Sequence, residues 1–492
     1  MNDELICAFA TAPGTAALAV LRISGQGAAQ LADKIFRFGP IGSNNSTRKV
    51  VALNGYQAAY GHVIDPLTQE TVDEVVLLRY KEPHSYTGEE MVEISCHGNS
   101  VSRTRLLEAC QHAGCRLATK GEFSKRAFLN GKFTLTEAEG LADLLQAEEK
   151  QAQKLALQQL SGALGRQYSK INSDLLDFEA KCQMAIEFPE YPEYDISAAE
   201  YKRRTGELRC QLQVLLAGYN QGKIIKEGLK IAILGAPNAG KSSLLNAILD
   251  EDKAIVTDIA GTTRDVLEAE TSYKGILYQF KDTAGIRKSS DKVEKEGIKR
   301  SFKSAFEADV VLWLVGEPAD TALSFDNAST SAPEWETYVQ GNLPATKLLQ
   351  ELQAKGIKLF FVVTKQDLSV CKSLFCEIKQ QYAVNYPVLP CSVYNRTEIM
   401  QILTSLYDYY LSLGDQSLQQ NVKVSSLRQY QGLGEIDAIL QKLDEAAGGS
   451  LPPLDILDQM LQACLEKLAL ITGQKPDEAV IETIFSRFCV GK

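Results

Sequence analysis

The sequence predicts a multidomain α/β protein: an N-terminal α+β domain, a discontinuous helical domain, and a phosphate-binding α/β domain inserted between the two helical segments. Three observations predict it. Apolar residues fall at helical spacing on both sides of a central region, from Thr136 onward and again after about Gly414. Between them, short apolar runs alternate with helical stretches, as in a parallel, doubly wound sheet. The first of those runs, Leu229 to Leu234, leads straight into G-A-P-N-A-G-K-S at Gly235 to Ser242, a G-x-x-x-x-G-K-S phosphate loop between strand and helix.

The 492 residues are enough for roughly two to four domains. Apolar content of 45% and charged content of 23% are ordinary for globular protein. No apolar run approaches the length of about 18 residues that a membrane span needs. The opening MNDELICAFATAPG lacks the basic-then-apolar order of a signal peptide. The 11 cysteines include no CxxC pair and there are only 4 histidines, which argues against a zinc site. An odd cysteine count without a secretory signal fits reduced thiols in the cytoplasm. Lys and Arg number 52 against 62 Asp and Glu, a net charge of −10. That balance favours an acidic protein without a long nucleic-acid surface; a basic face local to one domain is the other reading.

Residues 1–130 read as mixed strand and loop. Val72–Tyr80 and Met91–Gly98 are strand-like runs bounded by Pro83, Gly88 and Gly98. From Thr136 to Gly165 the period becomes helical, with Leu141, Leu144, Leu145, Leu160 and Leu164 on step. Thr136 and Glu139 have capping-box spacing. Helix continues to about Tyr219, interrupted near Pro189 and Pro192, so 131–225 form the first helical segment. The domain at 226–412 offers strands at Leu229–Leu234, on either side of Lys274-Gly275, and at Val310–Gly316, Leu359–Lys365 and Pro387–Ser392. The polar stretch from Glu317 to Gly341 reads as a surface loop or insertion. Residues 413–492 return to helix.

In a G-x-x-x-x-G-K-S loop, backbone N–H groups wrap the β-phosphate, Lys241 reaches the β and γ oxygens, and the Ser242 hydroxyl binds Mg²⁺. Gly235 and Gly240 let the loop approach phosphate without a Cβ clash. The helix starting near Lys241 adds its N-terminal dipole. A lone phosphate loop fits several NTPase classes. T-K-Q-D at Thr364 to Asp367 narrows them to guanine, because a buried carboxylate such as Asp367 accepts from the N1–H and 2-amino groups that adenine lacks. D-T-A-G at Asp282 to Gly285 adds a carboxylate that contacts Mg²⁺ through water and a glycine N–H for the γ-phosphate. D-I-A-G-T-T-R-D at Asp258 to Asp265 stands at switch spacing, with Thr263 as a second Mg²⁺ ligand. The inserted domain is therefore a Ras-like P-loop GTPase domain.

Ras-type proteins orient the attacking water with a glutamine directly after the glycine of the third motif. Ile286 holds that position here and cannot do so. Hydrolysis must recruit another polar group, another chain or a cation. Arg287, Asp291, Glu294 and Glu296 stand nearby, and position alone does not choose among them. Asn238, inside the phosphate loop, is a second clue. Its amide oxygen either coordinates a monovalent cation beside the phosphates or makes hydrogen bonds within the loop.

GAPNAGKSSLLN, IVTDIAGTTRD, DTAGIR with a following VE, and above all the terminal FCVGK resemble the MnmE (TrmE) family of tRNA-modifying GTPases. ATAPG with LRISG, YTGEEMVEISCHG and GEFSKRAFLNGK extend the resemblance over nearly the whole chain. It implies an N-terminal domain that binds tetrahydrofolate and dimerises, a helical domain, and a G domain whose GTP hydrolysis starts when two G domains pair around K⁺. It carries the K⁺ ligands to Asn238, Thr257, Ile259 and Thr262. Lys241 and Glu294 become the catalytic pair, with Glu294 positioning water. Nucleotide contacts fall on Asn238, Ala239, Gly240, Lys241, Ser242 and Ser243, on the run Thr257, Asp258, Ile259, Ala260, Gly261, Thr262 and Thr263, on Asp282, Thr283, Ala284 and Gly285, and on Thr364, Lys365, Asp367 and Ser392.

The same resemblance assigns Arg22, Glu93, Lys132 and Lys492 to a site for 5-formyl- or methylene-tetrahydrofolate. Basic groups suit the glutamate tail and a carboxylate suits the pterin N–H donors; a surface or inter-domain salt bridge is the plainer reading of each. Cys489 would sit beside the folate, in a structural or a catalytic role. Implied partners are tRNA, a second copy of the chain, and an MnmG-type FAD protein in a heterotetramer. With that partner the family adds a (carboxymethyl)aminomethyl group to C5 of the wobble uridine.

Three departures from the family pattern stand out. TKQD replaces NKxD, and the shorter Thr364 predicts weaker guanine binding. Gly14 to Leu18 reads GTAAL where a basic, Gly-rich segment is usual. The Glu317–Gly341 stretch is longer than expected. Two rival readings are a ribosome-assembly GTPase, which has no reason to carry GEFSKRAFLNGK or FCVGK, and a scaffold with a degenerate nucleotide site, against which Lys241, Ser242, Thr263 and Asp282 argue.

Overall fold

The computed structural model describes residues 4–42, 48–236, 238–251, 269–281, 301–316, 339–340, 343–414, 423–448, 450–475 and 477–492. The chain divides into two compact units. The first comprises Met1–Gln146, Ala156–Leu212 and Gln431–Lys492; the second comprises Ala147–Leu155 and Gln213–Tyr430. Among the described residues no helix is long and apolar enough to cross a membrane.

In the first unit, strands β1 (Ile6–Phe9), β2 (Ala16–Ser24), β3 (Phe36–Phe38), β4 (Gln57–Ile64), β5 (Thr71–Tyr80), β6 (Met91–Gly98) and β7 (Arg116–Leu117) form one sheet in the order β3-β4-β5-β6-β2-β1-β7. All pairs are antiparallel except β1 with β7. Side chains alternate across a strand, so Val75 and Leu77 of β5 are buried while Val76 between them is exposed. Helices Ala28–Ile35 and Ser100–His112 add Leu31, Ile35 and Leu106 to the core under that face. The two strands expected at 72–80 and 91–98 are β5 and β6.

The helical run expected from Thr136 to Gly165 is three helices: Leu135–Gln146, Lys150–Leu160 and Ala163–Glu187. Gly162, at φ 72°, makes the last break. The capping box lies two residues earlier than its spacing suggested. Thr134 N donates to Glu137 Oε2 at 2.7 Å and Glu137 N donates to Thr134 Oγ1 at 3.3 Å. Thr136 and Glu139 are instead buried on the helix face that carries Leu135, Ala138 and Ala142. A three-residue spacing fits both pairs; burial of that face selects the earlier one. The break near Pro189 and Pro192 is present, with helix resuming at Ala198–Ala217.

Helices Leu427–Ala447, Leu454–Thr472 and Glu478–Phe485 complete the chain. Arg209 joins helix 427–447 through Asp437 at 3.1 Å and Asp444 at 3.4 Å. The final residues return to the sheet. Lys120 bridges to Val490, and Gly121 N donates to Cys489 O at 3.4 Å. Gly491, at φ 100°, passes so close to β1 that a Cβ would run into Phe9 O.

The second unit holds β8 (Leu229–Gly235), β9 (Ala269–Tyr273), β10 (Ile276–Lys281), β11 (Val310–Val315), β12 (Val339–Gln340), β13 (Leu343–Pro344), β14 (Lys358–Val363) and β15 (Val388–Pro390). Six of these make a sheet ordered β15-β14-β11-β8-β10-β9, parallel except for the β9–β10 hairpin, and β12 pairs with β13 separately. All of β11 is buried, as a strand covered on both faces must be. Lys274 and Gly275, at φ 52° and 77°, turn the hairpin. Of the expected Glu317–Gly341 surface loop only Val339–Gln340 is described, as β12; the rest lies outside the described residues. Ala147–Leu155 packs in this unit. Leu155 joins its core, and Gln151 Nε2 donates to Lys274 O at 2.8 Å.

The close pass of Gly491 over Phe9 O gives a prediction. Gly491→Ala should lift the C-terminal tail from β1 without unfolding the sheet. Hydrogen exchange of the amides at 489–492 should accelerate at least about tenfold, since a side chain at that φ is strained even before the clash. Unchanged exchange would contradict the docking.

Candidate functional site

The phosphate loop leaves β8 at Gly235, where φ is 147° and a Cβ would stand 2.5 Å from Leu314 O, leaving no room for one. Asn238 and Gly240 follow at φ 61° and 92°. The left-handed region is strained for most side chains but tolerated by Asn. Ala239 N donates to Ala236 O at 3.2 Å, and helix Lys241–Glu251 begins one residue after Gly240. Lys241 Nζ donates to Gly235 O at 2.8 Å and to Ala236 O at 2.9 Å, so its charge lies over the loop. Ser242 and Ser243 occupy the first turn, where N–H groups and dipole favour an anion. The Ser242 hydroxyl is the kind of hard oxygen ligand that Mg²⁺ takes. Asn238 is exposed, with no side-chain hydrogen bond among the described residues.

The base-side loop follows β14. Thr364 is 4% exposed, and its hydroxyl donates to Ala239 O at 2.7 Å. The bond ties this loop to the phosphate loop. Gly316, after β11, makes room for it: a Cβ there would stand 3.1 Å from Ala239 Cα and 3.3 Å from Thr364 Oγ1. The expectation that Thr364 weakens guanine binding was drawn from its length; that length suffices for its hydroxyl to reach the phosphate loop. Lys365 sits at φ 55°, and Gln366 is buried with its amide donating to Cys371 O at 3.0 Å. Asp367, expected to be buried, is exposed. It stands where the loop leaves the strand, and Ser392 Oγ donates to its Oδ1 at 3.1 Å.

Asn238 through Ser243, Thr364, Lys365, Asp367 and Ser392 thus gather at the C-terminal ends of β8, β14 and β15, where ligands bind in open α/β sheets. Thr257 through Thr263, Asp282 through Gly285 and Glu294 lie outside the described residues. Glu398, whose Oε2 accepts from Ser392 N at 2.6 Å, carries no sequence signal of its own. A glycine directly after a wholly buried strand is the one hint of Gly316.

A second polar cluster lies on the sheet of the first unit. Arg22 on β2 stands opposite Glu93 on β6 in the strand register. Arg22 Nε and Nη2 both donate to Glu93 Oε1, at 2.9 and 2.8 Å. Tyr80 OH donates to Glu93 Oε2 at 2.9 Å. Burial, then Glu93, pushes the Tyr80 hydroxyl up to about 12. The Arg22 guanidinium lies 4.7 Å from the Tyr86 ring centroid, and its Nη1 reaches Gly491 O at 3.5 Å. Burial lowers the Lys492 ammonium, and Arg22 nearby lowers it further. Arg22, Glu93 and the tail are therefore neighbours. Lys132 is exposed and its Nζ donates to Pro83 O at 2.9 Å. Cys489 is exposed. Tyr80 and Tyr86 were not assigned from the sequence: Tyr80 reaches the cluster through the pairing of β5 with β6, and Tyr86, which opens the YTGEEMVEISCHG run, lies between those two strands. Chemically, this cluster offers cations, a carboxylate and aromatic faces, a donor set that fits a pterin ring bearing an acidic tail.

A family model described as the MnmE helical domain matches residues 135–489, and one described as the GTP-binding protein TrmE N-terminus matches residues 5–132. A tRNA modification GTPase MnmE of Levilactobacillus brevis is 35% identical over 490 residues, covering 99% of this chain and 98% of its own. That of Enterococcus faecalis is 34% identical over 493 residues, covering 100% and 99%. That of Parabacteroides distasonis is 34% identical over 493 residues, covering 99% of each. Likeness of that extent, end to end in both partners, places this chain in the MnmE family of tRNA modification GTPases.

Proposed function

We propose that this GTP hydrolase holds the phosphates of GTP in the Gly235–Ser242 loop and its base against Thr364, Lys365, Asp367 and Ser392. The carrying observation is the buried hydrogen bond from Thr364 to Ala239, which makes one site of two loops. Lys241 and the first turn of helix 241–251 oppose the phosphate charge. Asp367 accepts from the guanine N–H groups. Glu294 positions the attacking water in place of the glutamine that Ile286 replaces. Ser242 and Thr263 would ligate Mg²⁺, and Asn238, Thr257, Ile259 and Thr262 would ligate K⁺. Both ions would supply fixed positive charge where negative charge accumulates on the phosphate oxygens in the transition state. The exposed Asn238 amide supports that reading.

The proposed division is an N-terminal domain at 1–130, a helical domain at 131–225 and 413–492, and a G domain at 226–412. Arg22, Glu93, Lys132 and Lys492 would bind 5-formyl- or methylene-tetrahydrofolate, which serves as a one-carbon carrier. The Arg22–Glu93 pair supports it by presenting both signs of charge beside the tail. The chain would work in the cytoplasm as a homodimer. With an MnmG-type FAD protein it would form a heterotetramer and place a (carboxymethyl)aminomethyl group on C5 of the wobble uridine of tRNA.

One steady-state hydrolysis assay tests the catalytic part. Glu294→Ala should bind GTP almost normally and hydrolyse it at least about a hundredfold more slowly, the usual range for a positioned acid–base group. Na⁺ in place of K⁺ should slow the unaltered protein. Wild-type rates in Glu294→Ala, or equal rates in both salts, would remove the assigned roles. Thr364→Val keeps the shape but strips Ala239 O of its donor. It should cost about 1–3 kcal/mol of stability in a denaturant titration and weaken both GDP and GTP. A variant as stable and as tight as the parent would show that the two loops are held by something else.

A further inference from the structure

Glu398 stands outside every motif of the sequence. It is the third residue of helix Arg396–Ser412, whose N-cap Asn395 accepts from Thr397 N at 3.1 Å. In a capping box the carboxylate at this position folds back to the N–H of the N-cap itself. Here Asn395 N is already taken by Ser392 O at 2.9 Å. Glu398 reaches further back. Its Oε2 accepts from Ser392 N at 2.6 Å, and its Oε1 accepts from Asn395 Nδ2 at 2.9 Å. The negative charge lies in the first turn, where the helix dipole favours it. A backbone N–H given to a carboxylate is a charge-assisted, geometrically strict bond.

Ser392, so held, is 5% exposed, and its hydroxyl donates to Asp367 Oδ1. That is the one side-chain hydrogen bond of Asp367 among the described residues. Asp367 is exposed, so packing does not fix its orientation. We propose that Glu398 is a positioning residue for guanine selection: it pins Ser392, and Ser392 aims the Asp367 carboxylate. The inference rests on the reading of Asp367 as the acceptor for the base.

The test compares GDP with IDP, which lacks the 2-amino group, by direct titration of the full chain. Asp367→Asn, the control for the base reading, should lower the GDP-to-IDP affinity ratio. Glu398→Ala should lower it about tenfold, the worth of one charge-assisted hydrogen bond, with IDP, which keeps the N1–H, losing affinity but less than GDP. Glu398→Gln keeps an acceptor oxygen without the charge and should lower the ratio about threefold; it decides the matter if the alanine variant does not fold. A lowered ratio in Asp367→Asn beside an unchanged ratio in the Glu398 variants overturns the inference and leaves the base reading standing. Equal losses for GDP and IDP in Glu398→Ala also overturn it, since they mark a structural role. An unchanged ratio in Asp367→Asn removes the base reading, and the inference falls with it.

Discussion

A single buried hydroxyl, Thr364 Oγ1 on Ala239 O at 2.7 Å, joins the two loops of the nucleotide site. The joint works only because three parallel strands deliver their C-terminal ends side by side. β8 and β14 flank β11 in register, and each ends in a residue that admits close approach: Gly235, Gly316 or Thr364. An unpaired carbonyl buried there would cost about 1–3 kcal/mol, so the bond is enforced from both sides. The surrounding core, with Leu312, Leu314, Phe360 and Val362, makes the loops extensions of a rigid sheet rather than free segments.

The fold was largely legible because its signals are local. Buried strands read as apolar runs, the Lys274-Gly275 turn marks a hairpin, and the prolines near 189–192 interrupt helix. The misses are places where tertiary contact chooses among equal local options. Thr134 and Thr136 each have a glutamate three residues on, and only the burial of Leu135, Ala138 and Ala142 selects the first. The phosphate loop was legible from spacing. The job of Thr364 was not, because it depends on how far β11 and β14 carry their ends. Glu398 was invisible for a similar reason: its partner Ser392 lies before the helix that carries it, beyond the reach of a cap motif.

The Arg22 cluster shows the same limit in β structure. Strand register sets Arg22 against Glu93, and a glycine 469 residues later brings the tail to the same place. The family motifs at the two ends of the chain pointed there; composition did not. Net charge pointed away from nucleic acid, whereas the family modifies tRNA. A whole-chain sum averages over domains, and a binding face depends on local charge.

The most direct test of the proposed role is mass spectrometry of wobble uridines in tRNA from a bacterium that lacks its own MnmE, carrying this gene and that of the native flavoprotein partner. Restored C5 aminomethyl-type uridine is the expected result, and it would show that TKQD and GTAAL serve the pathway. Unmodified uridine, with the protein folded, binding GTP and expressed beside that partner, would contradict it.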